Sequence, residues 1–213
     1  MSGSEHYSSD VAFSPAVKAV QTRLGSRGAY ARQEEHGSWA TTVTPELARF
    51  IQAQTSVFLA TASADGQPYI QHRGGPPGFL RVLDEQTLAF ADFRGNRQYI
   101  SVGNLSQNPK AQLFLMDYAH RRRIKIWGEA RVVEDQPELV ASLLVDGYKA
   151  RAERAIVFRI SAWDSNCPQH IPQLINVRDV QALLQARDAR IAELEAQLGI
   201  AKGGEAGSTR SKA

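Results

Sequence analysis

Short stretches of apolar and alternating residues recur through the middle of the chain. Ser56 to Ser63 is rich in apolar and β-branched residues, Ala64-Asp65-Gly66 has hairpin-turn composition, and Pro68 to Arg73 reads as the return strand. Phe79 to Leu83 and Thr87 to Ala91 predict a second hairpin through Asp84-Glu85-Gln86, with Leu88 and Phe90 alternating against Ala89 and Ala91. Strands over Ala111 to Met116 and Ile124 to Val133 follow. In the latter, Ile124, Ile126 and Gly128 fall on one face and Lys125, Trp127 and Glu129 on the other. Ala155 to Ala162 is the last predicted strand. Many short, mostly antiparallel strands with few helices between them point to a small closed or nearly closed barrel.

Helical spacing frames these strands. Ser14-Pro15 opens a short helix with Val17, Val20 and Leu24 on one face and Gly25 as its stop. Gly25 to Thr42 reads as an arm anchored by Tyr30 and Trp39, because large aromatics repay the ordering of a weak segment. Thr44-Pro45-Glu46-Leu47 is a helix start with a cap, a proline and an acid in the first turn; Leu47, Phe50 and Ile51 form its stripe. Gln136 to Tyr148 is predicted helical, with Leu139, Val140, Leu143 and Leu144 inward.

The clearest period lies near the C-terminus. Val177, Val180, Leu184, Ile191, Leu194 and Leu198 are spaced 3, 4, 7, 3, 4, a heptad seam with its gap at Arg187. Asn176 can cap this helix and Gly199 can end it. The stripe either pairs with its copy or packs on the barrel.

Between Phe90 and Leu105 a strand breaks at Gly95-Asn96 and restarts as a short helix ending before Asn108-Pro109. Such a turn presents unpaired backbone N–H groups and the positive end of a helix dipole. With Arg94 and Arg97 beside them, it is a candidate seat for a phosphate. Taken alone, these residues also fit a solvated turn whose arginines face water.

Composition narrows the function classes. The 213 residues are 43% hydrophobic and 22% charged, with net charge +3, which suits an anionic small ligand as well as nucleic acid. Arg121-Arg122-Arg123 reads as a solvated hairpin end without a recognition motif, so nucleic acid is not an expected partner. No apolar run reaches the roughly 18 residues of a membrane span, and Met1-Ser2-Gly3-Ser4-Glu5 does not read as a signal peptide. Cys167 is the single cysteine, which excludes an intrachain disulfide and makes the cytoplasm the expected location. Cys167 and His170 supply two ligands and no metal site.

Gly66-Gln67-Pro68-Tyr69, the loop Gly74 to Gly78, the turn Asp92 to Gln98, Asn108-Pro109 and Arg123 to Gly128 together resemble the pyridoxamine 5'-phosphate oxidase-like flavoproteins. The resemblance covers roughly residues 45 to 172. It implies a mainly β fold with flanking helices, an FMN-binding split β-barrel, and a homodimer with FMN between protomers. The implied organisation is an N-terminal arm over 1–44, the flavin-binding barrel over 45–172, a C-terminal amphipathic helix over 173–202 and a disordered tail over 203–213.

It also implies roles. Gln71, His72, Arg73 and Gly74 would run along the isoalloxazine and ribityl chain, and Asp92 stands where the family has a hydroxyl residue near the cofactor. Arg97 matches the family's phosphate-binding arginine, while Gln98 replaces a lysine, with Arg94 or Arg73 able to compensate. Arg123 takes a position from which the family often reaches the flavin of the other chain, and Trp163 lies near a tryptophan that closes the cleft.

One departure is clear. The oxidases proper carry an Arg-x-His-x-Arg-type element for the substrate phosphate, whereas this chain has Trp163-Asp164-Ser165-Asn166-Cys167-Pro168-Gln169-His170-Ile171-Pro172. Asn166, Gln169 and His170 would shape a different pocket. The expectation is a nicotinamide-dependent FMN oxidoreductase acting on a small molecule other than pyridoxamine phosphate. His72 and His170 are its candidate proton donors. The alternative is a flavin or haem carrier or sensor on the same barrel.

Overall fold

Thr44 caps helix α3 (Pro45–Ala53) through its hydroxyl, which accepts from Leu47 N–H at 3.1 Å. The face this cap sets in place, Leu47, Phe50 and Ile51, is buried. It meets the inner side chains of seven antiparallel strands: β1 (Ser56–Ala62), β2 (Pro68–Gly74), β3 (Leu80–Asp84), β4 (Thr87–Phe93), β5 (Lys110–Asp117), β6 (Arg122–Val133) and β7 (Ala152–Ser165). The computed structural model describes residues 6–165 and 168–206; Asn166, Cys167 and the last residues of the predicted tail lie outside them.

The strand order is β2-β1-β5-β6-β7-β4-β3. Leu59 of β1 and Leu80 of β3, near opposite edges of this sheet, belong to one core with Leu113, Ile126 and Phe158. A sheet whose two ends feed one core must curl around it. The edge strands β2 and β3 do not pair with each other among the described residues, so the sheet is open, the split form of a barrel. Strand β4 is buried on both faces. Leu88 and Phe90 enter the main core, while Ala89 and Ala91 join Val133, Leu143, Ala155 and Val157 in a second cluster.

The alternation predicted for Ile124 to Glu129 holds, with Ile124, Ile126 and Gly128 buried and Lys125, Trp127 and Glu129 more open. At Gly128 the β6–β7 register shifts, and a Cβ there would lie 1.9 Å from the Arg159 carbonyl oxygen. Only a residue without a side chain fits.

The N-terminal segment holds more structure than an arm. After a short 3-10 turn (Ser8–Val11) come α1 (Pro15–Arg23) and α2 (Arg27–Glu35), the second of which the sequence pattern does not predict. Val17, Val20 and Leu24 remain exposed on α1. What is buried is Glu34, paired with Arg27, 3.6 Å from Lys18 and bonded to the Ser9 hydroxyl at 3.1 Å. Burial opposes its ionisation, but Arg27, Ser9 and Lys18 outweigh it and hold the carboxyl below its ordinary value. Trp39 does act as an anchor: it is buried, stacked on Trp127 at 4.7 Å and against Phe13 at 5.0 Å. Trp39→Ala is expected to raise amide exchange across residues 8–42 while the strands stay protected, as read by exchange mass spectrometry.

Helix α4 (Ile100–Gln107) ends where predicted, at Asn108. Helix α5 (Pro137–Ser142) is shorter than the predicted Gln136 to Tyr148. Leu143 drops into the second cluster, Leu144 stays exposed, and Gly147 at φ +77° turns the chain toward β7.

Residues 118–120 and 171–206 form a separate unit, within which Leu174 N–H bonds the Tyr118 carbonyl and the Gln173 amide donates to the Ala119 carbonyl. Its helix α6 (Val177–Ala206) is capped by the Asn176 side chain, which accepts from Arg178 N–H at 2.9 Å. The helix runs past Gly199, the predicted stop. An interior glycine costs about 1 kcal/mol relative to alanine, which weakens a helix without ending it. No helix among the described residues is long and apolar enough to cross a membrane.

Candidate functional site

Strand β4 leaves the sheet at Phe93, and the chain turns through Gly95-Asn96 into α4. Two residues of this turn, Arg97 at φ +63° and Tyr99 at φ +55°, hold left-handed backbone without being glycine. Such conformations cost free energy and gather where a site requires them. No side chain caps α4, whose first N–H groups lack intrahelical partners. Left-handed turns that feed a helix N-terminus form concavities suited to anions.

The turn forms one wall of a cleft of about 250 Å³, and Gln71 and Arg73 of β2, Asp92 and Ser101 complete it. The Ser101 hydroxyl donates to the Gln71 side chain at 3.0 Å, which ties α4 to β2. Arg97 is exposed, and its Nε donates to the Tyr99 hydroxyl at 3.3 Å. Gln98 is also exposed; its N–H bonds the Asn96 side chain at 3.3 Å.

Beneath the turn lies a charged network. Asp92 is buried and paired with Arg73, and Arg154 Nε stands 3.7 Å from its other oxygen. Arg154 also contacts Glu134 at 2.7 Å and Glu153 at 3.2 Å, and its guanidinium covers the Tyr99 ring at 4.9 Å. Arg73 Nε is buried without a hydrogen-bond partner among the described residues. Burial pushes the Asp92 carboxyl above its ordinary value, and the pull of Arg73 and Arg154 offsets this only in part.

Native Asp92 binds its proton more readily than the unfolded chain, so this group adds stability as pH falls through its native value toward 3.8. Asp92→Asn removes this titration, so the variant's stability should lack the gain that protonation of Asp92 brings to the wild type. The wild type should gain on the variant as the pH is lowered. Thermal unfolding of both proteins between about pH 7 and pH 4 reads the two trends.

Gln71, Arg73, Asp92, Arg97 and Gln98 thus meet in one cleft, and four other predicted residues stand apart from it. His72 points to the opposite sheet face, where Nε2 lies 2.8 Å from the Ser56 hydroxyl and the ring edge meets Phe58. Gly74 closes β2 beside Thr55, and Arg123 shares the outer face with Lys125 and Trp127. Trp163, at the other end of β7 from Glu153, gives its indole N–H to the Thr42 carbonyl. Arg94 is drawn toward Glu153 at 3.8 Å. His170 carries a left-handed backbone at φ +63°. Cys167, its predicted neighbour in chemistry, lies outside the described residues, among which no metal-ligating cluster occurs.

Sequence reasoning missed Arg154, Glu153 and Tyr99. Arg154 precedes the predicted last strand, and only the pairing of Asp92 with Arg154 brings it to the site. A larger groove, of about 410 Å³, lies on the outer face among Ala60, Gln112 and Trp127 and holds no arginine.

A family model for pyridoxamine 5'-phosphate oxidase matches residues 43–167, and the chain belongs to this family. No curated protein matches the chain. Among solved structures, HupZ of Group A Streptococcus is 17% identical with a TM-score of 0.49, covering 62% of this chain and 99% of that one. An FMN-binding protein from Syntrophomonas wolfei is 14% identical with a TM-score of 0.44, covering 73% and 99%. HutZ, the heme storage protein from Vibrio cholerae, is 19% identical with a TM-score of 0.38, covering 55% and 88%.

Proposed function

We propose that the protein is an FMN-dependent oxidoreductase that takes electrons from a reduced nicotinamide and passes them to a small molecule. The observation that carries this reading is the left-handed Arg97–Tyr99 turn at the uncapped start of α4, in a chain of the pyridoxamine 5'-phosphate oxidase family. The residues present fit an FMN phosphate. Arg97 is exposed and the α4 N–H groups are uncapped, while Arg73, paired with Asp92, keeps its buried Nε donor unbonded at the wall. The cleft falls below the roughly 300 Å³ at which sites for drug-sized ligands begin, so it would suit the phosphate end of FMN and not the whole molecule.

When bound, FMN supplies the redox chemistry. The chain would contribute position and charge: Arg97 and the α4 N–H groups would hold the phosphate, Gln71 would stand by the ribityl chain, and the Arg73–Asp92–Arg154 network would set the charge beneath. We place a second copy of the barrel over the outer face. Phe58, Phe114 and Met116 are half-buried there, Ile70 is 65% exposed, and Arg123 Nε lacks a hydrogen-bond partner among the described residues. His72 and Arg123 would then lie at the interface between the two copies.

The substrate differs from pyridoxamine phosphate, because the stretch after Trp163 has none of the arginines such a phosphate would need. Anaerobic mixing of the FMN-loaded protein with NADPH or NADH tests the reading. Bleaching of the flavin band within seconds supports an oxidoreductase. A flavin that stays oxidised with both nucleotides rejects it in favour of a carrier.

A further inference from the structure

The flavin reading leaves α6 without a use. Its stripe, Val177, Val180, Leu184, Ile191, Leu194 and Leu198, is between 38% and 69% exposed at every position. Helical propensity alone holds an isolated helix only marginally in water, and an apolar stripe of this kind is stable when something covers it. We propose that the cover is α6 of a second copy, in a parallel, in-register two-stranded coiled coil.

The seam dictates the heptad. Val177, Leu184, Ile191 and Leu198 take position a, and Val180, Arg187 and Leu194 take position d. Within the seam from Val177 to Leu198, positions g are Leu183, Arg190 and Gln197, and positions e are Gln181, Asp188 and Glu195; Lys202, the next e residue, lies beyond the seam. In an antiparallel pair g faces g and e faces e. With Val177 opposite Leu198, the antiparallel arrangement sets Gln181 against Glu195 and Asp188 against its own copy, so it forms no opposite-charge pair within the seam. In a parallel pair each g residue faces the e residue five positions on in the partner. Arg190 then meets Glu195 of the partner subunit, twice per dimer.

Within its own helix Arg190 contacts Glu193 at 2.5 Å, and its five N–H donors allow both partners. The break at Arg187 fits as well. A d side chain packs beside the partner's e position, which places its guanidinium by Asp188 of the partner subunit. A charge in the seam lowers stability while fixing register and strand number. Valine and isoleucine at a with leucine at d, as at Ile191 and Leu194, favour two strands.

Cross-linking of the full-length protein tests this. In a C167S background, Val177→Cys and Leu198→Cys at position a and Ala189→Cys at position f are each equilibrated in glutathione buffer and run on non-reducing gels. The coiled coil predicts that both a-position variants become mostly covalent dimers while the f-position variant stays monomeric. Dimers no more abundant at a than at f would overturn it and assign the stripe to another surface. Cross-links formed only on mixing the Val177→Cys and Leu198→Cys proteins would overturn it in favour of antiparallel pairing. Arg190→Glu should lower the Leu198→Cys cross-link several-fold and added Glu195→Arg should restore it; failure to restore rejects the register. Flavin content measured on the same samples separates this outcome from that of the flavin reading.

Discussion

Arg97→Ala is expected to weaken FMN binding by about 10- to 100-fold, while riboflavin binding and the unfolding temperature stay where they are. A hydrogen bond to a charged group contributes roughly 1.5–3 kcal/mol, and about 1.4 kcal/mol is a tenfold change in affinity. Arg97 is exposed and, among the described residues, bonds only a neighbouring hydroxyl, so the barrel does not depend on it. The α4 N–H groups remain in the variant and hold the residual affinity. Arg97→Lys keeps the charge but loses the planar fork, and should fall between the two. Calorimetric titrations with FMN and with riboflavin measure the difference. A variant that keeps wild-type FMN affinity would move the phosphate elsewhere.

Gly128→Ala is expected to destabilise the fold by about 3 kcal/mol or more, at the upper end for overpacked cores. The added methyl would sit 1.9 Å from the Arg159 carbonyl oxygen and 2.8 Å from the Phe158 ring. Neither neighbour is the tip of a flexible side chain. Phe158 is fully buried, and Arg159 is backbone of the central pair β6–β7. Separation of these strands would also shift Ala155 and Arg154 on β7, and through them the floor of the cleft. Denaturant unfolding reads the loss, and a midpoint within experimental error of wild type would contradict this packing.

What was legible in the residues follows from where the stabilising groups lie along the chain. Helix α3 announces itself because its cap, its proline and its stripe are consecutive in sequence. The strands are legible because one apolar face recurs at a period of two. Helix α2 is not, because Arg27 to Glu35 has no apolar stripe and Glu34, besides pairing with Arg27 of the same helix, is held by Lys18 and Ser9 from outside it. The cleft divides the same way. Arg97, Asp92 and Gln98 sit in one continuous motif, and the hairpin strand β2 brings Gln71 and Arg73 to them. Arg154 reaches the site only through the β4–β7 register, and long-range pairing of this kind leaves no local mark. The family resemblance groups His72 with its neighbours Gln71 and Arg73, but adjacent strand residues face opposite ways, and the alternation of β2 puts it on the other face.

The most direct measurement is the binding of FMN to the purified, flavin-stripped wild-type protein, followed by absorbance and calorimetry beside riboflavin. A phosphate seat at the Arg97 turn predicts saturable FMN binding with a shifted flavin band, tighter than riboflavin by about tenfold or more. Protein that stays colourless and gives no heat with FMN, or that binds the two flavins equally, would contradict it.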